Sequence, residues 1–265
     1  MISEARFDDG VWDGIDDRGV ALLEIDRPDR MNALDGPASR RIIGVCEQWA
    51  GRDDIRVVVL RGRGGSFSAG ADVAGMASDA AASGGFDEAA SRAIIENGST
   101  LVRAVRGLAV PVVASIDGPA VGIGASLAVA ADLLYATRRS YFLLAFVNIG
   151  LMPDGGASAV FAAAMGRARA NALALLGEKL PADEAAAHGL INTVVDDADA
   201  LDAAVEHAVS RLVAASPDAL ALTKSALDEH ALGGLDAALQ REIAGQTRLL
   251  QSPHFQAALA AFGRG

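Results

Sequence analysis

Cysteine is almost missing from this chain: Cys46 is the only one in 265 residues. No intrachain disulfide is possible, and a lone thiol suits a reducing compartment such as the cytoplasm. Cys46 sits in a helical stretch, 40–51, with no histidine close by in sequence, which reads as a buried structural thiol rather than a nucleophile. Positive charge is also scarce. Lys and Arg number 23 against 34 Asp and Glu, for a net charge of -11 and a pI near 4.8. Such a surface repels phosphate backbones and anionic lipid, so neither nucleic acid nor a membrane is an expected partner. An anionic ligand would need locally placed cations and backbone N–H groups. Long hydrophobic runs are lacking too. The most apolar stretch, 118–131, is glycine-rich and closed by Asp117 and Asp132, shorter than the ~20 residues of a membrane span. Residues 1–9 carry acids and no apolar segment of a signal peptide. The 4 histidines, His188, His207, His230 and His254, show no H-x-x-x-H or paired-cysteine spacing, so no metal is expected.

What is present suits a globular chain with a real core: 51% of residues are hydrophobic and 22% charged. The length allows one large domain, or one with an appendage. Residues 11–15 and 20–25 read as strands around Asp16-Asp17-Arg18-Gly19, a hairpin turn. Pro28 ends the second strand. A helix is predicted over 37–50, with Ile42, Val45, Cys46 and Trp49 on one face. The β-branched runs 57–60 and 111–116 read as buried strands, with a further strand at 133–136. A helix is predicted over 86–106, a short one starting near 122–124, and a small, polar mobile loop over 77–85. Strand–helix alternation argues for an α/β layer structure with parallel pairing. After Pro153 the pattern is helical: 157–165, 168–176, 182–187, 198–214, 217–229, 235–250 and 253–261. Only 190–195 looks extended, so a soft boundary falls near 195. Ser216-Pro217 and Ser252-Pro253 are helix starts.

Two glycine-rich segments follow buried strands and lead into helices: Ser66-Phe67-Ser68-Ala69-Gly70-Ala71-Asp72, and Asp117-Gly118-Pro119-Ala120-Val121-Gly122-Ile123-Gly124. Each is a tight turn, or a place where backbone N–H groups meet a ligand oxygen. Neither is a nucleotide fingerprint, because the third glycine of G-x-G-x-x-G would fall at Leu127. Ser68 lacks the flanking glycines of a nucleophile elbow. In Leu151-Met152-Pro153-Asp154-Gly155-Gly156, Asp154 is either a helix cap or turn aspartate, or a catalytic acid.

Taken in order, these segments resemble one family. Arg27-Pro28-Asp29-Arg30-Met31-Asn32-Ala33-Leu34 is similar to an R-P-x-x-x-N-A-L motif. Residues 57–72 resemble V-V-V-L-x-G-x-G-x-x-F-x-A-G-A-D, and 117–132 resemble x-G-x-A-x-G-x-G-x-x-L-x-x-x-x-D. Gly166-Arg167-Ala168, Gly177 and 185–195 complete the likeness. The chain resembles the crotonase (enoyl-CoA hydratase/isomerase) superfamily along almost its whole length.

The resemblance implies an α/β fold, a repeated ββα superhelix: a core over 1–195 that binds acyl-CoA, and a helical region over 196–265 that forms homotrimers or hexamers. It implies a thioester carbonyl held between the N–H groups of Ala71 and Ile123. The adenosine end of CoA would lie against the 30–33 loop, with Arg30 and Ala33, and the 69–73 loop, with Ala69, Asp72 and Val73. Arg264 falls where the family has a basic residue that meets CoA phosphates. Coenzyme A is part of the substrate, and no separate cofactor is implied.

The departures narrow the chemistry. The two glutamates that activate water in typical hydratases would fall at Ser126 and Phe146, neither of which is a general base. Asp154 remains, at the position of the acid/base carboxylate of enoyl-CoA isomerases, including the phenylacetate-pathway ring-oxepin type. One carboxylate suffices to carry a proton between two carbons of an unsaturated acyl-CoA through a thioester enolate. Ser126, Phe146 and Met152 would border the acyl pocket, and apolar surroundings would raise the aspartate pKa. The alternatives are hydratase-type chemistry, thioester hydrolysis, dehalogenation with Asp154 as nucleophile, and a non-catalytic member that binds acyl-CoA.

Overall fold

A computed structural model describes residues 2–83 and 85–262. A seven-stranded sheet runs in the order β1 (Ile2–Asp8), β2 (Val11–Asp16), β3 (Val20–Ile25), β4 (Val57–Gly62), β5 (Val112–Ile116), β7 (Leu133–Thr137) and β10 (Thr193–Val195). The first three strands pair antiparallel. From β3 to β10 every pairing is parallel, as the strand–helix alternation predicts. The hairpin between β2 and β3 closes as expected: Gly19 N donates to Asp16 O, and Asp16 Oδ1 accepts from Arg18 N and Val20 N. Strand β1 is a finding, since charged residues interrupt its apolar pattern. A second, three-stranded sheet, β6 (Pro119–Val121), β8 (Tyr141–Leu143) and β9 (Lys179–Pro181), was also not expected.

The alternation along the strands builds two cores. Ala21, Leu23 and Ile25 of β3, with Val58 and Leu60 of β4, face one side and join Ile42, Val45 and Cys46 of α1 (Gly36–Trp49). Burial of Cys46, with Glu47 nearby, pushes its thiol up to about 12, so it stays protonated. Val57 and Val59 face the other side, where Leu201, Val205 and Val209 of α7 (Ala198–Ala214) cover them. Each such side chain taken out of water contributes about 1.5–3 kcal/mol.

Three helical expectations need correction. Residues 77–83 are not loop but the end of α2 (Val73–Ser83). Asp72 starts that helix by accepting from Gly75 N, and the alanines that look featureless in sequence propagate it. The helix over 86–106 begins two residues later, as α3 (Glu88–Arg106), with Asp87 as its cap. The stretches 157–165 and 168–176 merge into α5 (Ala157–Leu176), kinked at Gly166. By length and composition α5 is apolar enough to cross a membrane, alone among the described helices. Here Val160, Phe161 and Leu173 enter the core instead.

The short helices α4 (Ile123–Ala128) and α6 (Ala182–Ala187) sit at strand ends. The last strand ends at Val195, and what is described beyond it is helical: α7, α8 (Pro217–Leu232), α9 (Leu235–Leu250) and α10 (Pro253–Phe262). These helices do not stand apart. Helix α7 covers the sheet, α9 lies along α3, and α10 lies along α2. The four histidines are all exposed, and no cluster of metal-ligating side chains occurs among the described residues.

Candidate active site

Backbone hydrogen bonds stitch the two glycine-rich segments together. Ser68 N donates to Pro119 O at 3.0 Å, and Val121 N donates to Ser68 O at 2.9 Å. The Asn32 segment is tied to the same place: Ala69 N donates to Met31 O, and Asn32 Nδ2 donates to Arg63 O and Ser66 O. Gly70 makes the close approach possible. Its φ is 90°, and a Cβ there would lie 2.5 Å from Val121 O.

Two amides are left over by this stitching. Leu34 pairs with Ala71 through Leu34 N on Gly70 O and Asp72 N on Leu34 O. That pattern uses the residues on either side of Ala71 and points its own N–H outward. Ile123 is the first residue of α4, so its N–H has no carbonyl a turn earlier to bind. Ala71 and Ile123 line one pocket of about 540 Å³. Both therefore stand on the wall of the same cavity.

Asp154 lines the same pocket. Its side chain is buried, with Oδ1 lacking any partner among the described residues and Oδ2 accepting from Gln246 Nε2 at 3.1 Å. It does not cap α5. That cap is Gly156, and the carboxylate at the helix start is Glu242 of α9, which accepts from Gly156 N at 2.7 Å and Ser158 N at 3.0 Å. Ser126 Oγ donates to the Asp154 carbonyl at 2.7 Å, fixing the backbone from α4. Gly155, at φ 63°, lets the turn lie on α4, since a Cβ there would be 2.5 Å from Ile123 Cδ1. Burial pushes the Asp154 carboxyl up to about 7; Gln246 opposes this by donating to it, and the charge of Glu242 adds to it.

The pocket gathers Ala69, Ala71, Asp72, Val73, Ile123, Phe146 and Asp154. It does not gather Arg30, Ala33, Ser126 or Met152. Arg30 Nη1 lies 2.6 Å from Asp72 Oδ2, with its side chain 60% exposed. Burial works to raise the Asp72 carboxyl, but Gly75 N–H and Arg30 together hold it below its ordinary value. Ala33 is buried behind the loop. Ser126 is wholly buried, and Met152 turns its side chain toward Gly245 of α9; neither lines this pocket. Arg264 lies outside the described residues.

Sequence reasoning missed the contribution of α9 and α10. Gln246, Leu250 and Phe255 all line the pocket. The available signal was Glu242 and Gln246, two polar residues on the same face as Leu239, Ile243 and Leu250. A polar pair on an apolar face marks a buried site.

The sequence model described as enoyl-CoA hydratase/isomerase matches residues 16–263. A probable enoyl-CoA hydratase of Rhodobacter capsulatus is 35% identical, over 92% of this chain and 91% of that protein. The 1,2-epoxyphenylacetyl-CoA isomerase of Escherichia coli is 32% identical, over 93% of this chain and 92% of that protein. Among solved structures, an enoyl-CoA hydratase from Mycobacterium avium subsp. paratuberculosis is similar at a TM-score of 0.85 and 42% identity, covering 96% of each chain.

Proposed function

The chain belongs to the enoyl-CoA hydratase/isomerase family, and from that premise we propose that it is an isomerase shifting a double bond within an unsaturated acyl-CoA. The observation that carries this reading is the buried Asp154, with its unpartnered oxygen, in one pocket with the Ala71 and Ile123 amides. Asp154 removes a proton from C2 of a 3-enoyl thioester. The electron pair of that C–H bond passes into the carbonyl, and the two N–H groups hold the resulting enolate oxygen. The enolate then collapses, the π bond moves to C2=C3, and C4 takes the proton back from Asp154. A carboxyl poised at about 7 suits a group that must both accept and return a proton at neutral pH.

The residues at 126 and 146 speak for isomerisation over hydration. Ser126 Oγ is committed to the Asp154 carbonyl, and Phe146 is apolar, so neither position holds a second carboxylate. The CoA moiety lies over Ala69, Asp72 and Val73, with Arg30 at the adenosine end; no dissociable cofactor takes part. The region 196–265 supplies a trimer or hexamer interface, and the cytoplasm is the compartment. The test is a panel of CoA esters assayed side by side for isomerase, hydratase and hydrolase turnover. Fast hydration of a 2-enoyl-CoA that survives Asp154→Asn would sink the isomerase assignment.

A further inference from the structure

Gln246 occupies a position where its amide can face only one way. Met152 N donates to Gln246 Oε1 at 3.1 Å, and a backbone N–H can be met only by the amide oxygen. The amide nitrogen is therefore the atom turned to Asp154, where Nε2 donates to Oδ2 at 3.1 Å. With a fixed donor on Oδ2, a proton on that oxygen would face an N–H. The other oxygen, Oδ1, is buried with no partner among the described residues. One helical turn earlier, Glu242 supplies from α9 the cap that Gly156 cannot, accepting from Gly156 N, Ser158 N and Ser158 Oγ. It thereby pins the backbone that follows Asp154.

We propose that Gln246 and Glu242 are positioning residues for Asp154: Gln246 reserves Oδ2 as an acceptor and so assigns the transferable proton to Oδ1, while Glu242 fixes the turn and sets a negative charge behind it. The inference rests on the isomerase reading only in giving that proton a substrate carbon to go to. The remaining charged surroundings are few. Helix α4, the 145–149 turn and the start of α5 carry no charged side chain. Arg103 of α3 pairs with Asp236, Arg241 neighbours Glu242, and His254 of α10 lies against Gly150. Asp35, Arg40, Asp72 and Asp79 line the pocket, Asp72 being held by Arg30.

Two substitutions one turn apart should therefore move Asp154 in opposite directions. Gln246→Met removes a donor from the carboxylate and should raise its titration midpoint by about 1 pH unit. Glu242→Gln removes the charge while keeping one of the two accepting oxygens at the α5 cap, and should lower the midpoint. The probe is the carbon-13 resonance of the Asp154 carboxyl in ligand-free protein, assigned by its loss in Asp154→Asn. The pH profile of 3-enoyl-CoA isomerisation should shift the same way, with kcat falling about 10- to 100-fold in Gln246→Met while KM changes little. Should Gln246→Met fail to fold, Gln246→Glu keeps the acceptor for Met152 and should raise the midpoint further. Folded variants whose midpoints do not move, or move together, overturn the positioning role even if the wild type is an isomerase. Opposed shifts in a protein that isomerises nothing would uphold it and sink the functional reading instead.

Discussion

Helices α8 and α9 are neighbours in sequence and equal in length, at 16 residues each, yet they have opposite relations to the rest of the molecule. Helix α9 buries seven residues, among them Leu239, Glu242, Ile243 and Gln246. Helix α8 buries none, and Leu222 and Leu227 stand 72% and 64% exposed. Two ion pairs and one half-buried leucine tie α8 down: Lys224 Nζ lies 2.9 Å from Asp132 Oδ2, Arg106 pairs with Asp228, and Leu232 packs against the core. Burial raises the Asp132 carboxyl, and Lys224 counters that effect. The contrast divides the C-terminal region by role. Helix α9 lines the pocket, whereas α8 leaves Leu222 and Leu227 in solvent.

The largest effect should come from the carboxylate that α9 holds. Asp154→Asn keeps size and the Gln246 neighbour but cannot take a proton, so isomerisation should fall by about 1,000-fold or more with ligand affinity little changed. Steady-state kinetics and a CoA-ester binding titration check this. The same variant should be more stable than wild type at high pH. The folded carboxyl, at about 7, lies above its unfolded value near 3.8, so its stabilising contribution is complete below about 3.8 and is lost as pH rises through 7. The advantage of Asn should therefore open between those values and level at roughly 4 kcal/mol. Denaturant melts across pH, with parallel curves for the two proteins, would contradict it.

Next, the contrast itself can be broken at three leucines, one on α9 and two on α8. Leu239→Ala, on the fully buried face of α9, should cost about 2–5 kcal/mol, read from urea unfolding. Of smaller effect is Ala71→Pro, which deletes an N–H donor on the far wall of the pocket and should lower kcat about 100-fold. Circular dichroism must first show it folded; full activity in a folded variant would remove Ala71 from the site. The smallest change in monomer stability, within about 0.5 kcal/mol, is expected for Leu222→Asp with Leu227→Asp on α8. Light scattering should nonetheless show the assembly falling toward monomers. A wild type that is already monomeric at micromolar concentration would leave the exposed face of α8 without the partner proposed for it.

Much of this protein could be read directly from its order of residues. Strands β2, β3, β4, β5 and β7 follow from β-branched runs and turn residues, because period-2 burial and hairpin chemistry are local. Helices α7 and α9 were bounded to the residue, since their caps lie within a turn of their ends. The two glycine-rich segments and Asp154 were likewise visible as residue types in context. Strand β1 and the small second sheet were not, because their signals come from pairing with partners far along the chain. Helix α2 was mistaken for loop because alanine and serine do not announce a buried face.

Tertiary structure alone decided that Asp154 is not the cap of α5. Its sequence context fits a helix cap as well as an acid, and the choice was made by Glu242, 88 positions later in numbering, taking over the cap of α5. Gln246 then left one carboxylate oxygen bound and the other free. Nor could sequence tell that Ser126 Oγ would hold the Asp154 carbonyl, or that α9 would bury seven residues and α8 none. Local propensity sets where elements begin and end. Desolvation and hydrogen bonding across elements set the charge state and orientation of a side chain, and those depend on neighbours that only folding brings within reach.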